Sequence, residues 1–313
     1  MQSNCMAELL SKEKESITVR YISGNDFIMK NTCVAFGSFD GVHTGHHAVI
    51  NRLIDASKER LTSVVLSFEY DESLLKDRKV LSTEEEKQYL LSKNGPEVMI
   101  SYKISEENKD ISIEQFIKDI LLDKLGAQVI VAGENDSNIC VLRECAQRYE
   151  YKLVECGTVL TDDEPVTSRR IIKELEEGNL QKANELLGHP YLLMGKVMHG
   201  KALGRTVGMP TANLGYGEHK QLPTYGVYGT LSEIEGEKVK GLTNIGKRPS
   251  VDNYNYVTIE AFLLDFSGDL YDKTITLETH VFIRGVKKFN NLDEVKAQVN
   301  NDIESIRAYL DGI

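Results

Sequence analysis

The 313-residue chain is short of cysteine, of long apolar runs and of positive charge. Its five cysteines (Cys5, Cys33, Cys140, Cys145 and Cys156) are odd in number and include no Cys-x-x-Cys pair. None has a His or Cys partner at metal-finger spacing, so free thiols in a reducing compartment are expected. No stretch approaches the roughly 18 apolar residues of a membrane span. The first residues mix acid and base (Glu8, Lys12, Glu13, Lys14) where a secretory signal needs an apolar run. A soluble, cytoplasmic protein with no membrane partner is expected. The 37 Lys and Arg are outnumbered by 48 Asp and Glu, giving a net charge of −11. Backbone binding to nucleic acid draws on cationic side chains, so no nucleic-acid partner is expected. A local phosphate site is a separate matter, because it needs a few aimed groups and no basic face.

What is present is 41% hydrophobic and 27% charged, the balance of a globular chain long enough for two domains. The first half alternates short strands (Thr32–Phe36, Ser63–Phe68, Val98–Ile100, Gln128–Ala132) with helical spacing (His46–Arg60, Glu84–Leu91, Ile113–Leu125, Val141–Tyr149). That order predicts an α/β domain with a parallel sheet covered on both faces. From about Gly195 the style changes. Val227–Glu233, Lys238–Asn244, Val257–Leu264 and Thr274–Arg284 follow one another through Gly-containing turns, which predicts an antiparallel sheet or small barrel. Leu292, Val295, Val299, Ile303, Ile306 and Leu310 step by three and four as a closing helix, with Asn291 and Glu294 spaced as a cap. A helix over Ile171–Leu187 ends at Gly188 before His189-Pro190, so the domains are read as 1–187 and 188–313.

The run G-S-F-D-G-V-H-T-G-H-H from Gly37 to His47 lies between a strand and a helix, where α/β sheets place ligands. A helix start offers free N–H groups to an anion. Gly37, Gly41 and Gly45 let the backbone bend and approach it. His43 and His46, three apart across the helix start, are placed to donate to phosphate oxygens and to stabilise developing charge. His47, His189, His219 and His280 lack a partner at ligand spacing and read as structural or exposed.

The second run, G-K-V-M-H-G-K-A-L-G-R-T-V-G-M-P-T-A-N from Gly195 to Asn213, is neither a Walker loop nor a dinucleotide fingerprint. Gly200, Gly204 and Gly208 suit a loop that wraps phosphates with backbone N–H groups. Pro210 fixes the chain before Thr211. Thr211 and Asn213 alternate, so on a strand they face one side, and their oxygens suit Mg²⁺.

The first run resembles the H-x-G-H signature of nucleotidylyltransferases. In its fuller form it resembles the adenylyltransferase half of the prokaryotic bifunctional riboflavin kinase/FMN adenylyltransferase (FAD synthetase) family. The second run resembles the flavokinase signature of that family. The likeness continues through Gly226-Val227-Tyr228, Asn244–Pro249, Ile259–Phe266, Asp269-Leu270-Tyr271 and Ile283–Phe289. The resemblance implies a Rossmann-like N-terminal domain and a six-stranded antiparallel Greek-key barrel with a terminal helix. It implies ATP as co-substrate, Mg²⁺, and flavins (riboflavin, FMN, FAD) as substrates and products.

Carried over residue by residue, it gives Glu260 as the base, Thr211 and Asn213 as Mg²⁺ ligands, and Gly200, Gly204, Arg205, Gly208 and Pro210 as the ATP loop. Arg284 and Phe289 fall in the loop over the flavin. Gly37, Phe39, Asp40, His43, Gly45 and His46 fall on the adenylyltransferase loop, and Ser168 and Arg170 on its phosphate-binding helix start. Three stretches depart from the family pattern. The final Arg of the S-S-T-x-I-R motif is Ile172. The aromatics of the G-x-D-F-x-F-G loop are missing from Gly133–Asn138. The F-x-P-H-P segment becomes Phe68-Glu69-Tyr70-Asp71-Glu72, with two acids, Asp71 and Glu72, where the family has His and Pro. The alternative expectation is therefore a riboflavin kinase with a degenerate N-terminal nucleotide-binding domain. Oligomeric state is left open.

Overall fold

The computed structural model describes residues 19–58, 60–93, 95–199, 210–248 and 256–313. The N-terminal part runs β1 (Arg20–Ser23), β2 (Thr32–Gly37), α1 (Thr44–Ser57), β3 (Thr62–Tyr70), α2 (Glu72–Leu75), α3 (Glu84–Ser92), β4 (Val98–Ile104), α4 (Ile113–Phe116, continuing as π-helical turns over Ile117–Lys124), β5 (Ala127–Gly133), α5 (Ile139–Tyr149) and β6 (Lys152–Cys156). A short hairpin, β7 (Leu160–Thr161) and β8 (Glu164–Pro165), then leads to α6 (Ser168–Glu177) and α7 (Leu180–Leu187). The rest runs β9 (Tyr191–Met198), β10 (Ala212–Leu214), β11 (Gly226–Ile234), β12 (Glu237–Arg248), β13 (Tyr256–Leu263), β14 (Thr274–Gly285) and α8 (Leu292–Leu310).

The first sheet has the order β1-β4-β3-β2-β5-β6, with β2 parallel to β3 and β5, β5 parallel to β6, and β1 parallel to β4. Cys33, Val34 and Ala35 on β2 and Val64, Val65 and Leu66 on β3 have no exposed surface. Consecutive buried residues mean that both faces are covered, as the near-continuous apolar runs required.

The second sheet closes into a barrel, β10-β13-β12-β11-β14-β9, with antiparallel pairings throughout. β11, β12 and β13 are joined in succession while β10, which precedes them, lies beside β13. That is a Greek key. Tyr228, Ile245, Ile259, Ala261 and Leu277 belong to one buried cluster. On the opposite face α8 seats Ile306 and Leu310 against Val227, Leu242 and Leu264. Asn291 caps α8 by accepting from Glu294 N–H at 2.9 Å, the pairing read from the sequence.

One expectation is corrected. The single helix expected over Ile171–Leu187 is two, α6 and α7. Gly178 takes φ +83° and ends α6, and Asn179 N–H turns back to Glu174 O at 2.8 Å. A left-handed residue closes the last turn, and glycine takes that conformation without a Cβ clash. The contacts gather the chain into two interleaved units. One holds the residues up to Gly37, Val49–Glu69 and Gln88–Cys156; the other holds Ser38–Ala48, Tyr70–Lys87 and Gly157–Ile313. The loop that carries His43 and His46 thus belongs to the unit that contains the barrel.

Candidate functional site

The loop after β2 is strained. Phe39 (φ +46°) and Val42 (φ +42°) take left-handed conformations beside Gly37 (φ +154°) and Gly41 (φ +83°). A β-branched residue adopts such a φ only when its surroundings hold it there. Burial supplies the hold, since Phe39 is 3% and Val42 0% exposed. The chain then enters α1 with His43 as its cap, and His46 N–H donates to His43 Nδ1 at 3.3 Å. The two imidazoles stack with centroids 3.6 Å apart and planes 15° apart. Gly45 gives the stack room, because a Cβ there would lie 3.1 Å from the His43 ring, closer than ordinary contact.

Burial, and next the neighbouring His47, pushes the His43 pKa down to about 4. Burial also holds His46 well below the usual histidine range. Both rings are therefore neutral near pH 7. Because His43 Nδ1 is an acceptor, its proton lies on Nε2, which becomes an uncharged donor for an anion. His46 Nδ1 is buried with no hydrogen-bond partner among the described residues, an unmet bond of the kind found at functional sites.

Asp40 and Gly41, just upstream, are held from three sides. Ser82 N–H donates to Asp40 Oδ1 at 3.0 Å, Ser168 Oγ donates to Asp40 O at 2.8 Å, and His189 Nε2 lies 3.0 Å from Gly41 O. Burial raises the Asp40 carboxyl, while Ser82 N–H and the charges of Lys87 and Lys220 oppose the rise. Sequence reading left Ser82 and His189 out of the site. Ser82 falls in a stretch, Leu81-Ser82-Thr83 with Glu86-Lys87, that resembles a helix start of the family, but its meeting with the loop, like that of His189, comes only through folding.

Ser168 and Arg170 open α6, whose cap is Thr167, accepting from Arg170 N–H at 3.2 Å. The Arg170 guanidinium donates to Thr161 O and Glu164 O of the β7–β8 hairpin at 2.8 and 3.1 Å. Ile172, which stands for an arginine of the family motif, packs against the buried core. Glu69, at the end of β3, accepts from Ser101 Oγ.

At the barrel, Asn213 on β10 and Asn244 on β12 are each in direct register with Glu260 on β13. Directly opposed residues on neighbouring strands share a face. Glu260 is half-buried, and its neighbours Ile259 and Ala261 point into the core. The strand thus alternates, and Glu260 lies in a cross-strand row with two amides. Pro210 and Thr211 line a cavity of about 480 Å³ together with Ala261, Phe266, Asp269 and Tyr271. That volume suits a small ligand. Gly200, Gly204, Arg205 and Gly208 lie outside the described residues.

The Arg284 guanidinium lies 5.7 Å from the Phe289 ring centre. Its Nε and terminal nitrogen donate to Asp302 of α8 at 3.0 and 2.8 Å. Asn244 is a site neighbour that sequence reading quoted in a motif but gave no role.

A family model described as riboflavin kinase matches residues 187–310, and one described as FAD synthetase matches residues 27–170. The bifunctional riboflavin kinase/FMN adenylyltransferase of Listeria monocytogenes is 31% identical over 293 residues, 89% of this chain and 92% of that protein. Its namesake from Buchnera aphidicola is 30% identical over 307 residues, 93% and 98% of the two chains. That of Escherichia coli K12 is 31% identical over 291 residues, 88% and 92%. Among solved structures, a Streptococcus pneumoniae protein called a macrolide-efflux protein superposes with a TM-score of 0.79 at 25% identity, over 92% of this chain and 99% of that one. Among the described residues here, no helix is long and apolar enough to cross a membrane.

Proposed function

The chain belongs to the family of bifunctional riboflavin kinase/FMN adenylyltransferases, and on that premise we propose where its two reactions take place. Riboflavin + ATP → FMN + ADP runs at the barrel, residues 188–313. FMN + ATP → FAD + pyrophosphate runs at the His43–His46 loop of residues 1–187.

The observation that carries the first assignment is the register of Asn213, Glu260 and Asn244 across three strands. The riboflavin 5′-hydroxyl oxygen bonds to the γ-phosphorus as the β–γ bridge opens and ADP leaves. Glu260 accepts the hydroxyl proton. Thr211 and Asn213 fit Mg²⁺ by donor type, since both offer neutral oxygens two residues apart at the start of β10. When bound, the ion neutralises the phosphates. Glu260 and Asn244 orient the hydroxyl.

In the second reaction a phosphate oxygen of FMN attacks the α-phosphorus of ATP, the α–β bridge opens and pyrophosphate leaves. The Nε2–H of His43, with His46 behind it, steadies the phosphates as charge shifts to the leaving group. Cys33, Cys140, Cys145 and Cys156 are thiols outside any disulfide, which supports a reducing, cytoplasmic setting.

A kinase-only reading is favoured by α6, where Arg170 is engaged by the hairpin and Ile172 packs into the core. Purified protein with Mg²⁺-ATP and FMN, followed by chromatography, separates the two. FAD with stoichiometric pyrophosphate is the expected result. Riboflavin phosphorylation without FAD would leave the kinase assignment alone standing.

A further inference from the structure

We propose that Lys220, on the connection from β10 to β11, is a positioning residue for adenylyl transfer that fixes the His43–His46 loop through the backbone of Leu81 and Ser82. This rests on the reading that the loop makes FAD.

Lys220 and Glu86 form a buried ion pair, with side chains 2% and 0% exposed and Nζ 2.6 Å from Oε2. Nζ also donates to Leu81 O at 2.6 Å and lies 4.4 Å from the Tyr191 ring centre. Glu86 is itself held at both oxygens. Oε2 accepts from Thr83 N–H and Oε1 from Met194 N–H of β9, each at 2.9 Å. A buried pair of this kind is weak evidence for stability, because an apolar pair of similar volume serves as well. Its placement supplies another reason. The residue after Leu81 is Ser82, whose N–H holds Asp40 Oδ1. The Leu81 side chain lies so close beneath Gly41 that a Cβ on Gly41 would approach Leu81 Cδ1 to 2.8 Å. The path from Lys220 to His43 thus passes through Leu81, Ser82, Asp40 and Gly41. All of these residues belong to the unit that holds the barrel. Lys220 touches no reacting atom on this path and acts through the loop alone.

The test is Lys220→Met in the full chain, assayed for both reactions. FAD synthesis is expected to lose kcat by on the order of 10- to 100-fold with little change in the KM for FMN, the loss typical of a misplaced catalytic group. Riboflavin phosphorylation by the same preparation is expected to stay within about twofold, which also reports folding. An equal loss of both activities would overturn the proposal. Because Lys220→Met alone strands a buried carboxylate, Lys220→Met with Glu86→Gln is measured beside it. Continued loss of FAD synthesis in the pair supports positioning, and full recovery overturns it. The third readout needs no turnover. Imidazole ¹⁵N spectra are expected to shift for His43 and His46 in the paired variant and to stay put for His199, which stacks on Tyr271; unshifted His43 and His46 signals refute the proposal. If the wild type makes no FAD, the activity reading falls, while the spectra still decide whether Lys220 sets the loop.

Discussion

His46 N–H donates to the Nδ1 of His43 while the two rings stack 3.6 Å apart, so one backbone bond fixes both the tautomer of His43 and the facing of His46. The pair is set before any substrate arrives, which is how a site lowers the reorganisation needed in the transition state.

The stack gives a direct test at Gly45. An Ala methyl there would lie 3.1 Å from His43 Cε1 and Nδ1 and must push the ring aside. Ala is the better helix former by about 1 kcal/mol, so the helix itself does not suffer. Gly45→Ala is expected to cut FAD synthesis at least about tenfold, the scale of lost alignment, and to leave riboflavin phosphorylation unchanged. Initial rates of both reactions on one preparation check this.

Acid should weaken the unit that holds this loop. His43 titrates at about 4 when folded, against the ordinary histidine value of 6.5. Below pH 6.5 the unfolded chain therefore binds a proton that the folded loop refuses. Stability rises with pH across this window and is lost as pH falls from about 6.5 to about 4, by up to roughly 3 kcal/mol for this ring. Thermal melts at stepped pH should show a shallower acid slope for His43→Gln than for the wild type.

At the barrel, Glu260→Gln keeps the shape and the cross-strand row but removes the proton acceptor. The kcat of riboflavin phosphorylation is expected to fall by about 10²-fold or more, the usual contribution of a positioned base, with the riboflavin KM little changed. FAD formation from added FMN should be untouched. Retention of the full kinase rate would remove Glu260 from the mechanism. Asn213→Ala should raise the Mg²⁺ concentration needed for half-maximal rate, measured by Mg²⁺ titration at fixed ATP.

Asp302 is 2% exposed at its side chain and receives Arg284 through two nitrogens, with Gln298 as a further donor at 2.9 Å. Arg284→Met leaves that carboxylate buried with Gln298 alone. A loss of about 2 kcal/mol is expected, below the usual cost of a broken buried pair because Arg284 is partly exposed. Denaturant unfolding measures it, and Asp302→Asn, which still accepts a hydrogen bond, should cost less.

Much of this was legible in the chain. Apolar β2, Val-rich β3, amphipathic α1 and α5, and the hairpin strands β11 to β14 follow from periodicity, because burial on one face or two leaves a repeat in the sequence. β1, β6 and β10 were less legible. They are short and lie where pairing with a neighbour, more than composition, makes the strand. The break at Gly178 was missed because the helical spacing of Ile171 to Leu187 passes through it almost in phase.

The sequence alone determined the two chemical kits. Glycines and histidines at fixed spacing make the Gly37–His47 loop, and Thr211, Asn213 and Glu260 are named by local patterns within the flavokinase resemblance. Folding decided what holds those groups. Asn244 reaches Glu260 only through strand register. Ser82, Ser168 and His189 reach the Asp40–Gly41 corner from 42, 128 and 148 residues away. Lys220 reaches Leu81 from 139 residues away. Such contacts leave no periodic trace, because a hydrogen bond closed across the fold depends on where the backbone arrives and hardly at all on which residues are neighbours in the chain.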